Sequence, residues 1–429
     1  MKKRLLFMFF ILCIIAFSGV GAMASTYKTE VKVGIKYGSS AGSSVKVSSG
    51  SGLNVYDAVT GNILYQALAG EEVNISMWAN GFASANKFDA SGIYKISVQV
   101  PGGGIISCDG QRYRGYIYIE KTSGGELLVI NYVGTDDYVT SVLGKEMSYS
   151  WPLEALKAQA ICARNFVLCR GSAHKNYGFD VCTTVHCQVY GGVASEHENT
   201  RRAVNETKGK LVYYNGNIVP LYFFATSGGQ TEDVKNVWGS EIGYLKSVPD
   251  TYENPEKASR YRWSATLTRQ EIESKLKANG MNIGTLKSIS IDSQTSSGRV
   301  TQMTFHGTAG SQSVKREKCR TIFGFYSQKF DVQADSVSQL ITAYGEAKAP
   351  LYALSADGIS GVAGYSVLSE SGLSTINVSG AGYAEKYNFS GGGYGHGVGM
   401  SQWGARGMAE NGFTYDKILH HYFTGIELR

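Results

Sequence analysis

The chain carries little excess of charge of either sign and, past its first two dozen residues, no long apolar run. Its 41 Lys and Arg stand against 35 Asp and Glu, a formal net charge of +6. These charges are not clustered, so the sequence offers no electrostatic footprint for nucleic acid. No segment beyond residue 24 is apolar enough to cross a bilayer. Cysteine is sparse: seven in 429 residues, at spacings unlike the dense disulfide frameworks of small secreted domains. A chain of this length has room for two or three hydrophobic cores and needs no such staples. There is no internal repeat and no low-complexity tract.

What is present begins with the leader "MKKRLLFMFFILCIIAFSGVGAMAS". Lys2, Lys3 and Arg4 precede an apolar stretch over residues 5 to 17, and Ala22 and Ala24 form an A-x-A site before Ser25. The pattern predicts a secretory signal peptide over residues 1–24, or the same segment retained as an N-terminal membrane anchor. Either way the protein is expected to act outside the cytoplasmic membrane, at its outer face or in the cell wall. Removal of the leader takes Cys13 and three cations with it and lowers the net charge from +6 to +3. A balance that slight is compatible with anionic wall polymers and equally with a neutral partner.

Residues 25–118 alternate polar and apolar in "EVKVGIKYG", "VNISMW", "IYKISVQV" and "YRGYIYIE", between Gly, Ser and Asn clusters. They read as a β-rich N-terminal domain without an interpretable motif. Residues 119–429 are expected to form a second, catalytic domain. In it Pro152 and Glu154 open a predicted helix over 153–170, with Leu153, Leu156, Ala160, Ala163 and Val167 on one buried face. Asn215-Gly216 predicts a hairpin. Residues 262–333 read as strands with one or two short helices, and 336–390 return to strands. The expected class is α+β: mixed β-rich domains around a central helical segment, with a substrate cleft between lobes.

Four stretches carry candidate chemistry. In "GTDDYVTSVLGKEM", Glu146 ends an apolar helical run, where a semi-buried carboxyl would hold a raised pKa and donate a proton at neutral pH; a solvated helix-end glutamate is the plainer alternative. The segment "GGGYGHGVGMSQWGARGMAENG", residues 391–412, sets Tyr394 and His396 among glycines. Ordered glycine is kept where positive φ or close backbone approach is needed, and the segment fits neither phosphate-loop pattern. It reads as one wall of a cleft or as a tightly packed turn. "TSGGQTED" exposes Ser227 to suspicion as a nucleophile but lacks the G-x-S-x-G elbow, and "SAHK" at Ser172 lacks a K-T-G companion. "HKNYGFDVCTTVHC" gathers His174, Cys182, His186 and Cys187: tetrahedral zinc, a Cys182–Cys187 disulfide and free buried thiols all remain open, and the adjacency of His186 and Cys187 leaves three ligands as an option. Arg164 and Gln159 are placed on the polar side of the central helix, supporting Glu146 or packing. His197, His306, His420 and His421 read as structural or solvated.

The segments "DDYVTSVLGKEM", "WPLEALKAQAICARNF", "CQVYGG", "FFATSGGQTEDVKNVWG", "YLKSVPD" and "GHGVGMSQWGARGMAENGFTYDKILHHYFTG" occur in that order over about residues 134–425. Together they resemble the stage II sporulation protein D and amidase enhancer family. The resemblance implies a peptidoglycan lytic transglycosylase acting on glycan strands stripped of stem peptides, with Glu146 as the catalytic acid and base. One carboxyl suffices there, because the C6 hydroxyl of N-acetylmuramic acid is an internal nucleophile of high effective concentration. The step needs no metal or other cofactor; a structural zinc at His174, Cys182, His186 and Cys187 occurs in some members. Ser227, Gly228, Gly229, Tyr394, His396, Gln402 and Arg164 are the implied substrate contacts. The family's second name implies the alternative, a non-catalytic glycan binder that enhances a cell-wall amidase, and with it an amidase as partner.

Overall fold

The computed structural model describes residues 29–84, 87–170, 174–335 and 383–429, together with the backbone of six short strands between 341 and 375. The expected leader over 1–24, Ser172 and most of the stretch between 336 and 382 lie outside the described residues. The architecture is α+β, with eight α-helices among the described residues.

The period-two segments build two sheets. One has seven strands in the order Val181–Cys182, Glu30–Lys36, Leu127–Gly134, Tyr116–Lys121, Lys95–Gln99, Leu53–Asp57 and Ile63–Ala67. The other has six, centred on Ser44–Ser48 and Val73–Trp78. Alternate residues such as Val31, Val33, Val55, Ile96 and Val98 from the first and Val45, Val47, Val73 and Ile75 from the second enter one core, as half-buried strands require. The expected domain boundary at residue 118 falls inside the strand Tyr116–Lys121, which pairs with Lys95–Gln99 on one side and Leu127–Gly134 on the other. One sheet therefore contains residues from both sides of position 118.

The helices are α1 (Thr135–Glu146), α2 (Leu153–Cys169), α3 (Glu198–Glu206), α4 (Val234–Trp238), α5 (Arg269–Ala278), α6 (Lys318–Thr321), α7 (Gln402–Glu410) and α8 (Tyr415–Tyr422). The core of the sheets continues through α1, α2, α7 and α8, so that residues from 31 to 426 share it. A second core, from Trp263, Ile272, Leu276, Phe305, Phe325 and Phe389, belongs to the inserted stretch between. Thr268 caps α5 through a reciprocal pair of hydrogen bonds with Glu271. The hairpin forms where predicted, Asn215 and Gly216 standing at φ 49° and 77° between Val212–Tyr214 and Asn217–Ile218.

The central helix departs from expectation. Instead of burying one face, α2 is buried over residues 155, 156 and 158–167, because α1, α3, α7 and α8 all pack against it. Its supposed polar side is therefore interior, and Gln159 and Arg164 are fully buried.

The glycine segment is explained by its own backbone. Gly393, Gly395, Gly397 and Gly399 have φ of 87°, 117°, 85° and 80°. A Cβ on Gly395 would lie 2.6 Å from the Phe224 Cβ, and one on Gly399 2.3 Å from the Tyr222 carbonyl oxygen. Close approach is thus made to the protein's own chain, not reserved for a ligand. Gly395→Ala is expected to lose about 2 kcal/mol or more of stability, from left-handed backbone plus a clash with a fixed neighbour. Urea unfolding measures it, and a loss below about 0.5 kcal/mol would contradict this account.

Candidate functional site

Glu146 is the last residue of α1, a helix started by Asp136 and Asp137 in its first turn and held to the core by Tyr138, Val139, Val142 and Leu143. Met147, buried and extended, ends the helix. The Glu146 Oε2 accepts a hydrogen bond from Gln402 Nε2 at 3.1 Å. Gln402 opens α7, whose cap is Ser401, its Oγ accepting from the Gly404 N–H at 3.1 Å. Burial raises the Glu146 pKa, and the Gln402 hydrogen bond opposes it. The negative end of the α1 dipole acts in the same direction as burial.

The carboxyl opens on a cavity of about 730 Å³ whose walls include Tyr394, Gly395, His396, Gln402, Gln188, His186, Cys187, Phe166, Tyr222 and Trp238. The expected cleft residues Tyr394, His396 and Gln402 are therefore brought to Glu146. Tyr394 is 44% exposed, and its ring meets that of Tyr326 edge-on. His396 packs against Phe224 and Trp238; its Nδ1 accepts the Val398 N–H at 3.0 Å. Burial, then the Arg320 and Arg299 charges, hold His396 down at about 4, so it is neutral at pH 7 and not a proton donor of the imidazolium kind. Glu317, a second carboxylate in the wall, already accepts from Arg320 and from Trp238 Nε1.

Two expectations are corrected. Ser227 is not beside Glu146: it is fully buried, its Oγ accepts from the Gly229 N–H at 3.0 Å, and the backbone N–H groups of Ser227 and Gly228 donate to the Glu253 carboxylate at 2.5 and 2.9 Å. The Ser227, Gly228, Gly229 turn is organised by Glu253, and Gly228 lines a different cavity. Arg164 is not in the pocket either. Its Nη2 reaches Asp136 Oδ1 at 3.1 Å and the Val204 carbonyl at 3.3 Å, tying α2 to the start of α1 and the end of α3. A guanidinium buried with its partners there acts on Glu146 only through the placement of α1.

His174, Cys182, His186 and Cys187 do converge: one donor atom from each lies within 4.8 Å of all the others. Cys187 Sγ is 3.4 Å from His174 Nε2 and 3.5 Å from His186 Nδ1, and Cys182 Sγ is 3.8 Å from His186 Nδ1. Both cysteines are free thiols, so the disulfide alternative is not formed. Tetrahedral zinc places N and S ligands about 3.5 to 3.8 Å apart, and this donor set fits it. Val181–Cys182 edges the seven-stranded sheet while His186 and Cys187 face the Glu146 cavity, so the cluster joins sheet to pocket wall.

Sequence reasoning missed Phe166, Arg170, Tyr222, Trp238 and Glu317 as wall residues. Trp238 ends the five-residue α4 just before Gly239, at φ 94°; a tryptophan at a sharp helix stop was its one available signal. Glu317 comes from the inserted stretch, and nothing local marks it.

An α+β body thus presents a half-buried carboxyl to a cavity with aromatic walls. A family profile described as stage II sporulation protein matches residues 123–214, which span Glu146 and the His-Cys cluster; a domain of unknown function (DUF8618) matches 244–345. The chain is 31% identical over 344 residues to an amidase enhancer of Bacillus subtilis (strain 168), covering 75% of this chain and 45% of that protein. It is 26% identical to stage II sporulation protein D of the same organism, over 70% of this chain and 75% of that one. An uncharacterized protein of Brachyspira hyodysenteriae is 27% identical over 80% and 79%. Residues 123–214 thus carry the domain of the stage II sporulation protein D and amidase enhancer family, and the chain is similar to its members well beyond that domain.

Because the folded-state pKa of Glu146 lies above its ordinary value, the stability it contributes is fully present below that ordinary value and is lost as pH rises through the raised one. Glu146→Gln, which removes the charge and keeps the shape, is expected to match wild type near about pH 4 and to melt higher than wild type at about pH 8. Calorimetry across that range checks it, and a constant difference would contradict the burial of the carboxyl.

Proposed function

We propose that this protein is an exported cell-wall enzyme of sporulation that cleaves the bond between N-acetylmuramic acid and N-acetylglucosamine in peptide-stripped glycan by lytic transglycosylation. The observation that carries the reading is the Glu146 carboxyl, pushed towards its protonated form, on the wall of a cavity of about 730 Å³. Glu146 donates its proton to the glycosidic oxygen as the bond from that oxygen to C1 of N-acetylmuramic acid breaks. The carboxylate so formed takes the proton of the C6 hydroxyl as its oxygen bonds to C1, closing a 1,6-anhydro ring and restoring the acid. Gln402 steadies the ionised state between the two transfers. Glu317, already engaged by Arg320 and Trp238, leaves Glu146 to serve in both directions. Tyr394 and the rings around His396 supply faces for sugar, and the cavity between body and inserted stretch serves as the substrate cleft.

The His-Cys cluster is read as a structural zinc site. Four protein ligands leave no open position for substrate or water, so the metal's role would be to clamp residues 174–187 against the sheet. The similarity to a protein named amidase enhancer favours one second reading, in which the chain binds glycan and stimulates an amidase partner. As for membrane attachment, no helix among the described residues is long and apolar enough to cross a bilayer.

Purified protein without an amidase, incubated with peptide-free glycan, is expected to release products lighter by one water than hydrolysis products. Glu146→Gln should lower the rate at least about 100-fold while retaining glycan binding. Hydrolysis products would contradict the mechanism, and glycan binding without cleavage would favour the amidase-enhancing reading. Protein prepared without a histidine tag is expected to hold one zinc per chain by elemental analysis. Cys182→Ser should lose the metal and melt lower; a metal-free wild type of full stability would refute the site.

A further inference from the structure

A second cavity, of about 700 Å³, is lined in part by residues next in sequence to those of the first. Gly391 and Gly392 line it, whereas Tyr394, Gly395 and His396 line the Glu146 cavity. Only Gly393 stands between these sets, and the two steps from Gly392 to Tyr394 span at most about 7 Å. The segment is pinned in between: Thr226 and Tyr394 exchange backbone hydrogen bonds at 3.0 and 2.7 Å, and the Gly392 N–H donates to the Lys329 carbonyl at 2.9 Å.

Two cations line this cavity, Arg262 and Lys329, with Arg260 and Arg299 outside its lining. Arg262 lies against the Tyr261 ring at 5.7 Å and Arg260 against the Tyr326 ring at 4.4 Å. Lys329 Nζ donates to the Gly228 carbonyl at 2.7 Å, and Arg299, fully buried behind the glycine segment, donates to the Ser227 carbonyl at 3.2 Å. The Arg299 Nε and Nη1 have no hydrogen-bond partner. No ion pair is formed by any of the four among the described residues. One carboxylate, Asp331, lines the cavity and accepts from Gln294 at 3.1 Å. A cation set against an aromatic ring, Arg262 on Tyr261, together with the half-buried Lys329, favours a ligand that joins an anion to a ring with apolar faces.

We propose that this second cavity binds the free lactyl carboxylate of a muramic acid unit, with Arg262 and Lys329 as its partners, and so selects glycan from which stem peptides have been removed. The inference rests on the glycan reading above. Removal of a stem peptide turns a neutral amide into a carboxylate on every muramic acid, and that is the only new charge the strand acquires. A strand lying in the Glu146 cavity continues past the glycine segment, where Arg262 and Lys329 read that charge. They set specificity without touching the scissile bond.

The test uses the full-length Glu146→Gln protein and two probes: peptide-free glycan, and the same glycan with its carboxylates converted to amides. Calorimetry is expected to give the carboxylate form about tenfold tighter binding, weakened by salt. Arg262→Ala with Lys329→Met should bring the two probes to within about twofold. Arg262→Ala alone, at an exposed position, should already reduce the ratio with an unchanged unfolding midpoint. Equal binding of both probes by the parent, or a preference that survives in the double variant, overturns this proposal and leaves the glycan reading intact. Binding of neither probe overturns both. Tighter binding of a phosphate-bearing wall polymer than of the carboxylate glycan assigns the cavity a different anion and overturns the proposal as well.

Discussion

One hydrogen bond organises the site: Gln402 to Glu146, joining residues 256 apart in sequence. It forms only if the end of α1 and the start of α7 meet, and each is constrained separately. The end of α1 is fixed by its buried face and by Arg164, which holds Asp136 at the other end. The start of α7 is fixed by the Ser401 cap and by the short parallel pairing of Met400–Ser401 with Phe223–Phe224. Burial of the carboxyl follows from that meeting, and the raised pKa follows from burial.

The glycine segment serves the same end indirectly. Its alternating left-handed positions let the chain run close to Tyr222, Phe224, Ser227 and Arg299 while turning Tyr394 and His396 towards the cavity. Packing of backbone against backbone leaves little freedom there, so the side chains that face the carboxyl are held by a rigid frame. The same short segment also lines the second cavity, through Gly391 and Gly392.

Much of this was legible in the residues. Alternation gave the strands, Pro152 gave the start of α2 to within one position, and the apolar run before Glu146 gave a helix ending at that residue. The spacing of His174, Cys182, His186 and Cys187 gave a cluster that does converge. Local patterns could not show what depends on distant partners. Arg164 and Gln159 look like a polar face until four other helices close over α2. Ser227 looks like a cleft residue until Glu253, 26 positions on, collects its backbone N–H. A strand's second neighbour is equally invisible in local pattern: Tyr116–Lys121 pairs on both edges across residue 118.

The central claim is that burial raises the Glu146 carboxyl above the ordinary carboxylate range. It is tested most directly by following the carboxyl carbon of Glu146 by NMR through a pH titration, assigned by its loss in Glu146→Gln. The account predicts a midpoint clearly above the ordinary value of 4.5, moving higher still in Gln402→Ala, where the donor to the ionised form is gone. A midpoint at or below 4.5 in the wild-type protein would contradict it.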